Sequence, residues 1–128
     1  MSGKYGLVER EIKTESQRTF TLKCVSFENG LFIVVAEGAN RIGSLTVSIS
    51  SSNKSNTATV IPSRYNSMFI NTISEKVSSM VNGICVVSLY NTKQLNLIDM
   101  KAIMGEIMNM IGGKLNGEDK KTELKGVQ

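Results

Sequence analysis

Few side chains in this sequence could do chemistry. The candidates are two thiols, Cys24 and Cys85, eleven carboxylates, and the glycine-spaced run Gly38, Ala39, Asn40, Arg41, Ile42, Gly43 and Ser44, together with Arg64 and Tyr65. Histidine is absent, which removes the usual general base near neutral pH, imidazole-dependent triads and most zinc sites. A nucleophilic Cys24 would need a lowered pKa, and Lys23 is adjacent. Strand alternation puts these two side chains on opposite faces, so Cys24 reads as a small buried hydrophobe. Neither thiol has a C-x-x-C neighbour, and both read as reduced core residues. The glycine run lacks the lysine of a phosphate-binding loop and lies between two strands instead of opening a helix, so it reads as a turn. Glu28, Glu37, Glu75, Asp99 and Glu106, the five carboxylates between the terminal segments, fall on turns or exposed helix faces and read as solvated charges. Arg64 and Tyr65 precede a helix, where Arg could bind an anion and Tyr could stack, although a surface contact or simple solvation is the better reading. The expectation is a protein with no catalytic residue, no cofactor and no metal.

The rest of the composition narrows the class. A chain of 128 residues, 41% hydrophobic and 20% charged, suits one domain that needs no disulfide or metal to fold. The net charge of +4 raises nucleic-acid binding as an option. The charge is spread along the chain, however, and seven aromatics with no Trp make a poor base-stacking platform. No apolar run approaches the ~18 residues of a membrane span, and no signal-like segment opens the chain, so the expected setting is the cytoplasm or nucleus, with no membrane or nucleic-acid partner.

The elements follow from periodicity. Residues 1–15 read as a polar arm or marginal strand, 16–113 as the domain, and 114–128 as a mobile charged tail with too little apolar content to order itself. Phe20, Leu22 and Cys24 alternate with Thr19, Thr21 and Lys23 as a strand with one buried face. Asn29 and Gly30 suit a type I′ turn, and Leu31 to Ala36 is apolar on both faces, as expected of a central strand covered on both sides. Leu45, Val47 and Ile49 form a third strand, completing an antiparallel meander. A Ser/Asn/Lys loop, Ser50, Ser51, Ser52, Asn53, Lys54, Ser55 and Asn56, then precedes a short strand, Thr57 to Ile61, ended by Pro62. Phe69, Ile70, Ile73, Val77, Met80 and Val81 share one helical face, with the serines on the other, and Asn82 and Gly83 stop the helix. Ile84 to Tyr90 is another interior strand. The fold class is therefore α+β: a mainly antiparallel sheet flanked by two helices.

The last helix carries more apolar surface than one docking face needs. With Asn96 as N-cap and Asp99 in the first turn it runs to Ile111 and stops at Gly112 and Gly113. Its apolar residues span roughly 160°, against the ~100° stripe that packs on a single surface. The surplus needs a second surface: either the chain's own domain covers the helix deeply, or it meets another chain. In the second case Met100, Ile103, Met104, Ile107, Met108 and Ile111, or the strand edge beside them, are the expected dimer contact, with methionine supplying adaptability.

Cys24, Val25, Ser26 and Phe27, then Gly30 to Val35, and Arg41, Ile42, Gly43, Ser44 and Leu45 resemble the small proteasome assembly chaperones, particularly the third branch of that family. Ile73 to Val81, Ile84 to Leu89 and Asp99 to Met110 are similar to its helix, strand and final helix. Ser63, Arg64, Tyr65 and Asn66 look more like the fourth branch, the usual partner of the third. The resemblance implies a non-enzymatic factor of cytoplasm and nucleus that pairs with a homologous small chaperone or with itself and binds proteasome α subunits during α-ring formation of the 20S particle. It also implies that the Ser50–Asn56 loop, with Lys54 its only charge, touches α subunits. Two other classes fit a small domain of this kind: a roadblock- or longin-like dimeric scaffold for GTPases or trafficking complexes, which a helix at Glu9 to Ser16 would favour, and a small RNA-binding module.

Overall fold

The computed structural model describes residues 6–52 and 54–127, with side chains described as far as Gly112. In chain order the elements are β1 (Leu7–Lys13), β2 (Thr19–Phe27), β3 (Gly30–Glu37), β4 (Ser44–Ser51), β5 (Lys54–Ile61), α1 (Ser67–Val81), β6 (Ile84–Tyr90) and α2 (Leu97–Val127). They form an α+β fold around one six-stranded sheet in the order β1-β2-β3-β6-β4-β5. Every pairing is antiparallel except β3 with β6. The meander expected for the second to fourth strands does not form. β6 returns by way of α1 and enters between β3 and β4, so the two most apolar strands become central neighbours, as burial of a parallel pair favours.

The β2–β3 hairpin forms, but its turn is Glu28–Asn29, closed by Phe27 opposite Gly30. Positive φ is confined to Gln17, Ser52, Asn82 and Gly38 among the described residues, so this is not the type I′ turn expected at Asn29 and Gly30. Gly30 is required for space instead. A Cβ there would lie 2.2 Å from the Ile84 carbonyl oxygen on the adjoining strand.

Of the two readings of the opening segment, the strand is the one that forms: β1 pairs with β2 along its whole length and packs Val8 and Ile12 against the core. At the other end α2 passes through Gly112 and Gly113 and continues to Val127, so residues 114–127, expected in a mobile tail, lie in the helix. Both glycines cost helix propensity but do not forbid helix.

Both helices lie on the same face of the sheet. The core beneath them is built from alternate strand residues, among them Leu22, Cys24, Ile33, Val35, Cys85, Val87 and Leu89, closed by Ile70, Ile73 and Val77 of α1 and Ile103, Ile107 and Ile111 of α2. Where α1 crosses β4 and β5, hydroxyls replace methyls. Ser48 donates to Ser74 at 2.8 Å, and Ser50 lies 2.8 Å from Ser78, all four residues being buried. The serines expected on the solvent side of α1 thus face the sheet. Small side chains let helix and strand approach closely while these four hydroxyls find partners.

Candidate interaction faces

The opposite face of the sheet has no helix on it. Register aligns Leu7 with Val25, Val25 with Phe32, Phe32 with Val86, Val86 with Val47, and Val47 with Ala58. One apolar row therefore crosses all six strands. Phe27 and Ile49 extend the patch and are 54% and 48% exposed, whereas Val25, Phe32, Val34, Val47 and Val86 are half-buried only by their strand neighbours. Among the described residues no helix covers this surface; the β3–β4 loop lies over one end of it, where Gly43 N–H reaches Ser88 and Arg41 stacks on Tyr90. Six strands about 4.8 Å apart, each about seven residues long, present roughly 600 Å² of planar area, against the ~800 Å² per partner of a standard protein interface. The apolar row is the part of that area beside Glu9, Glu11 and Lys23, which lie on the same face.

α2 is a different surface from the one its sequence suggests. Ile103, Ile107 and Ile111 are at most 1% exposed and belong to the chain's own core, so in this fold they cannot contribute an intermolecular contact. Met100, Met104 and Met108 are partly buried against the same core. Their arc is wide because one edge of the helix meets the sheet and the other meets α1, with Met68, Phe69, Leu97, Met100 and Met104 sharing a shallow surface groove.

The start of α2 is fixed by a cluster that the sequence reading treated as solvated charge. Asp99 N–H donates to Asn96 Oδ1 at 2.8 Å, and Asn96 N–H returns a longer bond to Asp99 Oδ2 at 3.4 Å, a reciprocal cap. Asp99 is fully buried and also accepts from Ser16. Arg18, itself 8% exposed, grips Glu37 with Nε and Nη2 at 2.8 and 2.7 Å, reaches Asp99 from Nη1 at 3.2 Å, and donates to the Gln94 and Lys93 carbonyls. Its five N–H groups thus all have acceptors. The Arg18 hydrogen bond holds the Glu37 carboxyl down to about 2, helped by donors from Thr92. For Asp99, burial pushes the pKa up, but bonds to the carboxylate and the Arg18 charge outweigh it, and the net shift is downward. Glu37 in turn holds the Arg18 guanidinium above its usual range. The cluster ties the loop after β1, the end of β3, the β6–α2 loop and the first turn of α2 together. It is enclosed and hydrogen-bonded to completion, a brace with no reacting group to offer.

The other chemical candidates resolve similarly. Cys24 and Cys85 are buried, and burial pushes the Cys85 thiol up to about 12, far from a thiolate nucleophile. Gly43 and Ser44 of the glycine run lead into β4, where Gly43 N–H donates to Ser88 Oγ and Ser44 Oγ to the Leu89 carbonyl. The Ser50–Asn56 loop is a β-hairpin. Ser50 and Ser51 end β4, while Lys54, Ser55 and Asn56 begin β5. Ser50 is buried and bonded to Ser55 at 2.9 Å. Only Ser52 and Asn53 separate the strands, and Asn53 lies outside the described residues. No group of three His, Cys, Asp or Glu side chains among the described residues converges on a metal-sized site. No described helix is long and apolar enough to cross a membrane.

No family model matches the chain, and no curated protein matches it in sequence. In three dimensions it is similar to a chain in the crystal structure of a chaperone complex for yeast 20S proteasome assembly, with a TM-score of 0.62 and 12% identity, covering 85% of this chain and 98% of the other. The fold is thus one that an assembly chaperone uses, as the family resemblance in the sequence implied.

Proposed function

We propose that this protein is a non-enzymatic proteasome assembly chaperone that works as a dimer, pairing through the bare face of its sheet with a second copy or a homologous chain. The observation that carries this reading is the apolar row from Leu7 to Ala58 on a face of interface size with no helix over it. Exposed contiguous apolar patches of several hundred Å² mark interaction sites. The fold's likeness to a chain from a chaperone complex for yeast 20S proteasome assembly supports the pairing and a proteasome client.

The client of this reading is a set of proteasome α subunits, and its mechanism is templating. A dimer that holds adjacent subunits raises their effective concentration and lowers the entropic cost of ring closure, with no bond made or broken. The β4–β5 hairpin tip, where Ser51, Ser52 and Lys54 are exposed, is the assigned client contact. A roadblock- or longin-like scaffold asks for a helix at Glu9 to Ser16, and β1 occupies most of that segment instead.

Purified α subunits mixed with the chain, followed by native mass spectrometry over time, test the function. Faster α-ring formation, with the chain found on partial rings, supports the proposal. An unchanged rate with no chain-bound subunit rejects it.

A further inference from the structure

The loop joining β5 to α1 and the loop joining β3 to β4 face each other across the end of β6. Between them lies a cleft of about 570 Å³, within the usual size of a ligand site. Arg41 stands on one wall and Arg64 on the other, with Ile42, Ile61, Pro62 and Tyr65 among the remaining lining residues. No carboxylate lines the cleft, and neither arginine takes part in an ion pair among the described residues. Glu37 lies nearby, but its oxygens are held by Arg18 and Thr92.

Both walls are held in place. The Arg41 guanidinium sits over the Tyr90 ring, 5.1 Å from its centroid, a cation–π contact that limits where the side chain can point. The wall bearing Arg64 and Tyr65 ends at Asn66, which is buried. Its Oδ1 accepts from Leu95 N–H at 3.1 Å and Asn91 Nδ2 at 3.2 Å, and its own N–H donates to Ser63 Oγ at 3.0 Å. At the floor, Gly43 approaches so closely that a Cβ would lie 2.2 Å from the Leu89 carbonyl oxygen. A fixed cleft with two unpaired guanidiniums and apolar walls is organised for an anion attached to something apolar. Guanidinium prefers the planar, two-oxygen geometry of a carboxylate, and Ile42 at 70% exposure and Tyr65 at 40% offer contact to neighbouring side chains.

We propose that this cleft binds an acidic peptide segment of a partner protein, with Arg41 and Arg64 holding a carboxylate and the walls between them taking an adjacent apolar side chain. The proposal goes beyond the assembly reading and holds whatever pairs with the sheet face. Fluorescence anisotropy with a labelled hexapeptide of alternating leucine and glutamate, against the full chain in low salt, tests it. Saturable binding is expected, weakened about tenfold by R41A or R64A and about a hundredfold by R41A/R64A, since each lost guanidinium–carboxylate contact amounts to about a factor of ten. The same peptide with glutamine for glutamate should bind at least tenfold more weakly. Both arginines are exposed, so R64A should keep the wild-type thermal melt, R41A should lose no more than its Tyr90 contact, and both should keep the wild-type sedimentation coefficient, which separates this test from the dimer reading. Absence of saturable binding, a double variant within twofold of wild type, or equal binding of the glutamine peptide would overturn the proposal. Displacement by inorganic phosphate as effective as that by unlabelled peptide would overturn the peptide as the ligand class.

Discussion

Replacing Arg18 with Met leaves Asp99, with no exposed surface, and Glu37, with a side chain 13% exposed, facing each other without their cation. The depression of Glu37 from 4.5 to about 2 alone corresponds to about 3 kcal/mol, and breaking a buried ion cluster by removing one member costs about 3–5 kcal/mol. The R18M midpoint should therefore fall by roughly 10–20 °C in a chain of this size. The acid dependence has a definite sign. In the unfolded chain Glu37 takes up its proton near 4.5, whereas in the folded chain it resists until about 2. Across that window the unfolded state binds more protons, and wild-type stability must decline as pH drops from about 5 toward 2. Asp99, also shifted down, adds to the same slope. Urea denaturation followed by circular dichroism at several pH values measures both effects. R18M should be less stable and flatter in acid, and R18M/E37Q/D99N should recover part of the loss, because neutralising all three members removes the uncompensated charge. An R18M loss below about 1 kcal/mol, or a wild-type profile flat from pH 5 to 3, would refute the reasoning.

Other substitutions probe the rest of the structure. Gly30→Ala puts a Cβ against the Ile84 carbonyl and should destabilise by more than about 2 kcal/mol in urea melts, although Gly and Ala differ little on the surface of a strand. Ser78→Leu, at a fully buried position bonded to Ser50, should cost about 1–3 kcal/mol by overpacking. Met104→Glu with Met108→Glu should lower stability by about 1–3 kcal/mol yet leave association in sedimentation velocity unchanged, since both methionines serve the chain's own core.

Periodicity made much of this fold legible, because alternation in β2, β3 and β4 and the helical spacing in α1 report which side chains leave water. Strand order was not legible. Nothing local in Leu45 to Ile49 says that it pairs with β6 instead of β3, since both neighbours are apolar and the choice depends on contacts far apart in sequence. The serine-rich stretch was misread for a related reason. Ser50 looks like a loop residue, and Ser48 like the exposed side of a strand, until Ser78 and Ser74, one helical turn apart, supply their partners. Arg18, Glu37 and Asp99 are distant in sequence, so their mutual burial left no local mark. The wide apolar arc of α2 is legible in the sequence, but nothing local says that Ile103, Ile107 and Ile111 are consumed by the chain's own core. The two-sided apolar character of Leu31 to Ala36 and Ile84 to Tyr90 implies cover on both faces of the sheet, whereas both helices occupy one face; in the proposed reading a second chain covers the other.

Parallel affinity purification of the wild-type chain and V86E from native cells, with quantitative mass spectrometry, addresses the central claim most directly. V47E serves as an independent variant of the same row, and circular dichroism confirms that each is folded. The account expects wild type to recover proteasome α subunits, together with a second copy or a homologous chain, and both variants to lose the paired chain and most of the α subunits. Recovery of the same proteins by folded V86E and V47E, or of no α subunit by wild type, would contradict it.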